Sequence, residues 1–197
     1  MLTFVHSSLV ISHLQSLYSD EDIVIAYFYC NHKNEMDQPA KETIASLAKQ
    51  VADRKSNVPQ SLAQLYQRYL DNKSFSPTLE HCLTLLQSLT ASFTRVIILV
   101  DALDECASEK NRRLIISSLQ RLHITKVLIT SRVPGCQDIT DMFTKNKVPR
   151  LDIQATKSDL ERYVRMELES NRRRLDFIPL DLKENIISRV AGNADGR

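Results

Sequence analysis

Residues 95–106 constrain the fold more than any other stretch of the sequence. Residues 96–100 are five consecutive apolar residues, four of them β-branched. This run is too short for a helix and is bounded by charge, which predicts a strand buried on both faces. The chain then turns acidic at Asp101, Asp104 and Glu105. Either the strand ends in a solvated acidic turn, or these carboxylates lie where open α/β sheets bind their ligands.

The rest of the chain alternates between strand and helix patterns as far as residue 153. Strands are predicted at residues 23–30, 96–100, 126–132 and 148–153, and helices at 8–17, 40–53, 59–70, 77–93 and 110–122, with Ser76 as the N-cap of the fourth helix. This alternation predicts an α/β fold with a parallel sheet and right-handed crossovers. Only helical patterns follow, so we place a domain boundary near Gln154, between residues 1–154 and 155–197.

Composition excludes several classes of protein. The net charge of +2 gives no global field that would attract nucleic acid or a membrane surface. The four cysteines are scattered, which favours reduced thiols over a disulfide framework or a zinc site. No run approaches the roughly 18 apolar residues of a membrane span. The first basic side chain is Lys33, so the charged region of a signal peptide is absent. We therefore expect a cytoplasmic protein.

The string Asp101-Ala-Leu-Asp-Glu-Cys106 resembles the Walker B element of the NACHT family. These are STAND-class P-loop NTPases, and the similarity is greatest to the NLR-like receptors of fungi. Residues 25–30 resemble the family's second strand, and Gln50 falls where the family often has a Leu-x-x-Gln helix end. Residues 126–132 resemble its sensor 1 strand. The resemblance implies a P-loop NTPase-like parallel sheet with flanking helices, followed by the start of an all-helical domain.

The resemblance also implies roles for individual residues. In the intact family, Mg²⁺ and ATP or GTP are the cofactors. By that comparison Asp101 would hold the metal, and Asp104 and Glu105 would position or activate the attacking water. The sensor 1-like residues facing the γ-phosphate would be Thr130, Ser131 and Arg132.

One part of the family pattern is absent from this sequence. A Walker A loop, Gly-x-x-x-x-Gly-Lys-[Ser/Thr], cradles the phosphates, but the three glycines here all lie late, at Gly135, Gly192 and Gly196. Residues 7–11 resemble the helix that follows such a loop. We therefore expect residues 1–154 to be an incomplete nucleotide-binding domain that lacks the first strand and the phosphate loop. We expect residues 155–197 to be the truncated start of the helical domain.

This departure has a chemical and an architectural consequence. Each charge-assisted hydrogen bond from the loop contributes roughly 1.5–3 kcal/mol. Losing three therefore weakens nucleotide binding by roughly 10³–10⁴-fold. We expect this chain to bind no cofactor and its catalytic residues to be vestigial. The family's first strand is also expected to lie between the strands at 96–100 and 126–131, so that its loss leaves two unpaired inner edges. Either these two strands pair directly and close the gap, or the domain needs a partner, or it does not fold alone.

Three functions remain open. The chain is a fragment of a NACHT-type signalling module, a nucleotide-dependent oligomerisation switch of the innate-immunity or incompatibility type. Alternatively, it is a non-enzymatic interaction fragment whose partners are protein, either copies of itself or an intact NACHT homologue. As a third possibility, a phosphate loop is encoded upstream and the complete protein is an active NTPase.

Overall fold

The structure, a computed structural model, describes residues 2–18, 22–31, 40–106, 108–123, 125–132, 139–141, 144, 149–153, 156–170 and 179–193. The chain divides into two compact units, Met1–Lys147 and Val148–Arg197.

The first unit contains the sheet and most of the helices. Its elements are α1 (Leu2–Leu17), β1 (Ile23–Tyr29), α2 (Ala40–Ala52), α3 (Gln60–Asp71), α4 (Leu79–Thr90), β2 (Arg95–Asp101), a 3₁₀ turn (Leu103–Glu105), α5 (Glu109–Gln120) and β3 (Thr125–Ile129). The second unit contains α6 (Lys157–Ser170) and α7 (Leu180–Asn193).

The three strands form one parallel sheet in the order β1-β2-β3. β1 pairs with β2 from Ile23 opposite Arg95 to Tyr29 opposite Asp101. The predicted fold class, a parallel sheet with flanking helices followed by further helices, is confirmed.

The expected gap between β2 and β3 is not found, and direct pairing is the alternative that the structure adopts. These strands pair directly, from Val96 opposite Thr125 to Val100 opposite Ile129. One further backbone bond extends the ladder, from Thr130 N to Val100 O at 3.0 Å. The crossover through α5 connects these two consecutive parallel strands, which lie side by side. The two unpaired inner edges therefore do not exist.

The two faces of the sheet are covered differently. Alternate residues of β2, namely Val96, Ile98 and Val100, belong to a buried cluster that also contains side chains of α2, α4 and α5. Asp101 points to the opposite face, where Ser7 of α1 hydrogen-bonds to it. Each Val, Leu or Ile fully buried in the cluster contributes roughly 1.5–3 kcal/mol of transfer free energy.

Two local predictions are corrected by the structure. Helix α4 begins after Thr78, not Ser76, because the Thr78 hydroxyl accepts from His81 N at 3.3 Å and Thr78 N donates to His81 Nδ1 at 3.2 Å. This is a reciprocal cap. The strand predicted at 148–153 has no regular structure over residues 149–153. Leu151 and Ile153 are there more than four-fifths exposed, at 83% and 81%, because a strand needs a neighbour as well as an apolar pattern.

In the second unit, local contacts organise both helices. Thr156 and Asp159 form a reciprocal cap at the start of α6: Asp159 N donates to Thr156 Oγ1 at 3.2 Å and Thr156 N donates to Asp159 Oδ2 at 2.9 Å. Arg165 of α6 forms a two-pronged ion pair with Glu184 of α7, at 2.5 and 3.0 Å. Among the described residues, no helix has both the length and the apolar character needed to cross a membrane.

Candidate functional site

The carboxyl ends of the three parallel strands meet at one edge of the sheet. Cys30 N, just after β1, donates to Asp101 O at 3.0 Å. On the other side of β2, Leu103 N donates to Thr130 O at 2.9 Å. These bonds fix the segments that follow each strand, so the sequence-predicted residues of β2 and β3 come together here.

Asp101 lies at the centre of this edge and is only 2% exposed. Its Oδ1 atom accepts hydrogen bonds from Ser7 Oγ and from Thr130 Oγ1, the latter at 2.6 Å. Its Oδ2 atom is buried and has no hydrogen-bond partner among the residues that the structure describes. A buried polar atom without a partner costs roughly 1–3 kcal/mol. The two carboxylate oxygens therefore differ: one is fixed by hydroxyls and the other is free to accept.

The turn after Asp101 is strained, and Thr130 holds it in place. Ala102 is in the left-handed region at φ 52° and ψ 49°, which costs a non-glycine residue roughly 1–2 kcal/mol. Its N–H donates to Thr130 Oγ1 at 2.9 Å. Thr130 thus orients both the carboxylate of Asp101 and the backbone that follows it. Residues kept in such conformations occur often at functional sites.

Asp104 and Glu105 are held by Arg132. Asp104 accepts from Arg132 N at 3.1 Å and from Arg132 Nε at 2.6 Å. Glu105 Oε1 lies 3.5 Å from Arg132 Nη2. The two carboxylates are mostly buried, whereas the Arg132 side chain is 66% exposed. This arrangement ties the 3₁₀ turn to the end of β3.

The predicted residues do not all point to the same place. Thr130 contacts Asp101, and Arg132 contacts the acidic pair, but the Ser131 hydroxyl donates to Arg132 O at 3.2 Å and lies at the surface. Ser7 was not among the predicted site residues. Ser7 lies on the buried face of α1 together with Ile11, four residues later, and no sequence pattern links it to Asp101.

The oxygen atoms around Asp101 fit a hard divalent cation. One carboxylate and two hydroxyls are the donor types that Mg²⁺ prefers, and Mg²⁺ typically binds one or two carboxylates while retaining waters or phosphate oxygens. No group of three or more His, Cys, Asp or Glu side chains suited to a metal occurs in the described part of the chain. An all-protein cage is therefore not formed there, and Asp101 Oδ2 is the atom best placed to accept a cation. Because this atom is enclosed, neighbouring atoms would have to move first.

The buried thiol of Cys30, beside the site, is unsuited to nucleophilic chemistry. Burial raises the pKa of Cys30 to about 12, and the proximity of Cys106 and then Asp101 adds to the effect. A thiol reacts through its thiolate. Cys30 is therefore protonated and inert at neutral pH.

The fold and the strand-end cluster define an α/β protein with an acidic site after its central parallel strand. A family model described as nephrocystin 3, N-terminal, matches residues 4–132. This match covers more than half of the chain and spans α1 to the end of the site, so the chain belongs to this family. No curated protein matches the chain.

Proposed function

We propose that the chain is a fragment of a NACHT-type signalling NTPase module that acts as a nucleotide-dependent oligomerisation switch. In this proposal the strand-end site is the Mg²⁺-facing and water-facing half of a nucleotide site. The observation that carries the proposal is the state of Asp101. Its Oδ1 is fixed by Ser7 and Thr130, while its buried Oδ2 has no partner among the described residues.

Each side chain has a role that follows from its contacts. Asp101 would hold Mg²⁺, which when bound neutralises phosphate charge and orients oxygen nucleophiles. Thr130 positions the Asp101 carboxylate. Asp104 and Glu105 provide carboxylates to position a water. Arg132 partly balances their charge, and in this proposal its largely exposed side chain turns from Asp104 toward an anion.

We further propose that the 197 residues do not hydrolyse nucleotide alone. A phosphate loop requires glycines whose backbone N–H groups approach the phosphates, and no glycine precedes Gly135. Without phosphates held beside it, a cation at Asp101 would have little to act on. Residues outside this sequence would have to supply the phosphate-binding half.

Turnover measurements test these roles. The 197-residue chain should show background Mg²⁺-dependent hydrolysis of ATP and GTP, unchanged by Asp101→Ala. A protein with a Gly-x-x-x-x-Gly-Lys-Ser loop and its strand added before Met1 should hydrolyse nucleotide, and Asp101→Ala should return it to background.

Glu109→Gln is the matched control, because Glu109 also carries a carboxylate but pairs at the surface with Arg113, 2.8 Å away. It should leave turnover unchanged. Hydrolysis by the 197-residue chain that Asp101→Ala abolishes would overturn the proposal that the chain is inactive alone. Full activity of the loop-containing Asp101→Ala variant would overturn the assignment of Asp101.

A second candidate function is a non-enzymatic interaction fragment that pairs with an intact homologue or with itself. One observation favours it: β3 is an edge strand whose Val127 and Leu128 side chains are exposed. This candidate requires no nucleotide. Binding of the chain to a protein partner should then be unaffected by Asp101→Ala.

A further inference from the structure

The loop between α3 and α4 contains a serine hydroxyl that the fold does not use. Ser76-Pro77 has the pattern of a helix start, but the cap of α4 is formed by Thr78, whose hydroxyl accepts from His81 N at 3.3 Å. Ser76 therefore lies two residues outside that cap. Its hydroxyl makes no hydrogen bond to any residue that the structure describes.

The backbone around Ser76 is extended and exposed. Residues 75–78 are neither helix nor strand, and Ser76 and Thr78 are both exposed. Thr78 is extended, at φ −84° and ψ 169°, and the ring of Pro77 favours an extended conformation at the residue before it. The three residues therefore form an open, extended segment at the surface.

Contacts on either side hold this segment in place. Before it, Phe75 N donates to Asn72 O at 2.9 Å, and the centre of the Phe75 ring lies 5.5 Å from that of the His81 ring. At its end, Thr78 N donates to His81 Nδ1 at 3.2 Å. The first turn of α4 thus tethers both ends of the segment, and Ser76 between them stays exposed.

An exposed, extended serine followed by proline is the acceptor that proline-directed protein kinases use. Proline has no backbone N–H, so a kinase pocket that offers no acceptor at this position leaves no donor unsatisfied. Ser76-Pro77 is the single place in the sequence where serine or threonine precedes proline. The other five prolines follow glutamine, valine or isoleucine.

Two other exposed serines lack this combination. Ser74 lies in a turn, where its N–H donates to Asn72 Oδ1 at 3.0 Å, and it is followed by Phe75. Ser117 lies within α5 and its hydroxyl donates to Leu114 O at 3.1 Å. Exposure alone therefore does not define an acceptor, whereas an extended backbone and a following proline do.

We propose that Ser76 is a phosphorylation site for a proline-directed serine/threonine kinase that uses ATP. The Ser76 oxygen forms a bond to the γ-phosphorus of ATP, the bond from that phosphorus to the β–γ bridging oxygen breaks, and ADP leaves. The hydroxyl proton passes to the catalytic carboxylate of the kinase. The kinase binds this ATP, so the inference does not depend on the strand-end site, and its failure would leave the nucleotide proposal unaffected.

The local charges are compatible with a phosphate at this position. A phosphoserine carries about −1.5 to −2 charges at neutral pH. Lys73 is exposed three residues before Ser76, and the amino end of α4 favours a nearby anion. Glu80, the closest acidic residue along the sequence, is already paired with Arg121 at 2.6 Å. The phosphorylated chain should therefore stay folded, with a thermal midpoint no lower than that of the unmodified chain.

Phosphorylation of the purified 197-residue chain tests the site. The chain is incubated with a mitogen-activated protein kinase, Mg²⁺ and ATP, and the product is mapped by mass spectrometry. We expect one phosphate, on Ser76. Ser76→Ala should remove it, and Ser74→Ala, the matched control two residues away, should leave it. Pro77→Ala keeps the hydroxyl but should lose most of the phosphate.

A peptide of residues 70–82 shows whether the folded loop presents the serine. If the loop is already extended and exposed, the folded chain and the peptide should be phosphorylated at rates of the same order. If Ser76 were reached only by local opening, the folded chain would react more slowly, in proportion to its open population. Circular dichroism should show the native chain and the three variants folded under the reaction conditions.

Four results would overturn the inference. These are a native chain that takes no phosphate, a phosphate on another residue with Ser76 unmodified, labelling that Pro77→Ala leaves unchanged, and a folded chain that reacts far more slowly than the peptide. Because the mapping on the native chain needs no variant, it decides the question even if a variant fails to fold.

Discussion

At the scale of single residues, the buried polar atoms are the most informative. Asp101 and Thr43 each carry a buried side-chain oxygen without a partner in the described part of the chain. Asp101 lies at the strand-end site among polar neighbours, where its unpaired Oδ2 could accept a cation. Thr43 lies inside α2 in the apolar core, where its buried hydroxyl serves no such site. Apolar substitution of Asp101 should therefore remove the proposed Mg²⁺-dependent chemistry, whereas apolar substitution of Thr43 should raise the free energy of unfolding.

Replacing Thr43 with valine should stabilise the protein. Valine keeps the shape of threonine and removes a buried hydroxyl, so the free energy of unfolding should rise by about 1 kcal/mol. Thr43→Ala is the matched variant: it also removes a methyl group and should be less stable than Thr43→Val by about 1 kcal/mol. Urea unfolding of the three proteins measures both differences. Destabilisation by Thr43→Val would show that the hydroxyl has a partner in solution.

The buried thiol of Cys30 should make stability depend on alkaline pH. Its pKa is raised to about 12 in the folded chain, whereas an unfolded cysteine titrates near ~8.5. Between these values the unfolded chain loses a proton that the folded chain keeps, so the free energy of unfolding falls as pH rises. The slope contributed by this group approaches about 1.4 kcal/mol per pH unit.

Urea unfolding at about pH 8 and about pH 10 measures this loss. Cys30→Ala should lose less stability than the native chain over the same interval, because the titrating group is gone. Equal losses in the two proteins would contradict the assignment to Cys30.

At the scale of elements, Gln50 connects α2 to the edge of β1. Gln50→Ala should lower the free energy of unfolding by about 1–3 kcal/mol, because two partly buried hydrogen bonds are lost. Gln87→Ala removes a glutamine from α4 that makes one exposed bond, to Arg121 O at 3.1 Å, and should cost less than about 1 kcal/mol. Thermal unfolding of the native chain and the two variants compares these losses of stability. Equal losses of stability in the two variants would show that the Gln50–Tyr27 hydrogen bonds contribute no more than one exposed bond.

The elements also show what local pattern can and cannot predict. The five-residue apolar run of β2 predicted a buried strand because no other local structure suits it. Residues 149–153 instead alternate between polar and apolar at Leu151, Asp152 and Ile153, but they are not a strand, because a strand requires a partner. The order of strands depends on crossovers between distant segments, which explains why the sequence left direct pairing of β2 with β3 as one of three alternatives.

The same limit applies to the site. Asp101 and Thr130 could be placed together from sequence, because the carboxyl ends of parallel strands share one edge. The bond from Ser7 spans 94 positions, and nothing local to either residue indicates it. The resemblance directed Arg132 toward a phosphate, but in the structure its guanidinium pairs with Asp104. Contacts between distant charges depend on the assembled fold.

At the scale of the whole molecule, the family match and the candidate site coincide. The matched residues 4–132 lie within the first compact unit, Met1–Lys147, and include Ser7, Asp101 and Arg132. Direct pairing of β2 with β3 leaves no gap between them inside this unit.

A calorimetric titration with Mg²⁺·ATP tests the central proposal most directly, because it measures both halves of the proposed nucleotide site. The 197-residue chain should bind more weakly than about millimolar. The protein with an added phosphate loop should bind roughly 10³–10⁴-fold more tightly, and Asp101→Ala should remove the Mg²⁺ dependence of that binding. A low-micromolar dissociation constant for the 197-residue chain would contradict the proposal, as would Mg²⁺-dependent binding that survives Asp101→Ala.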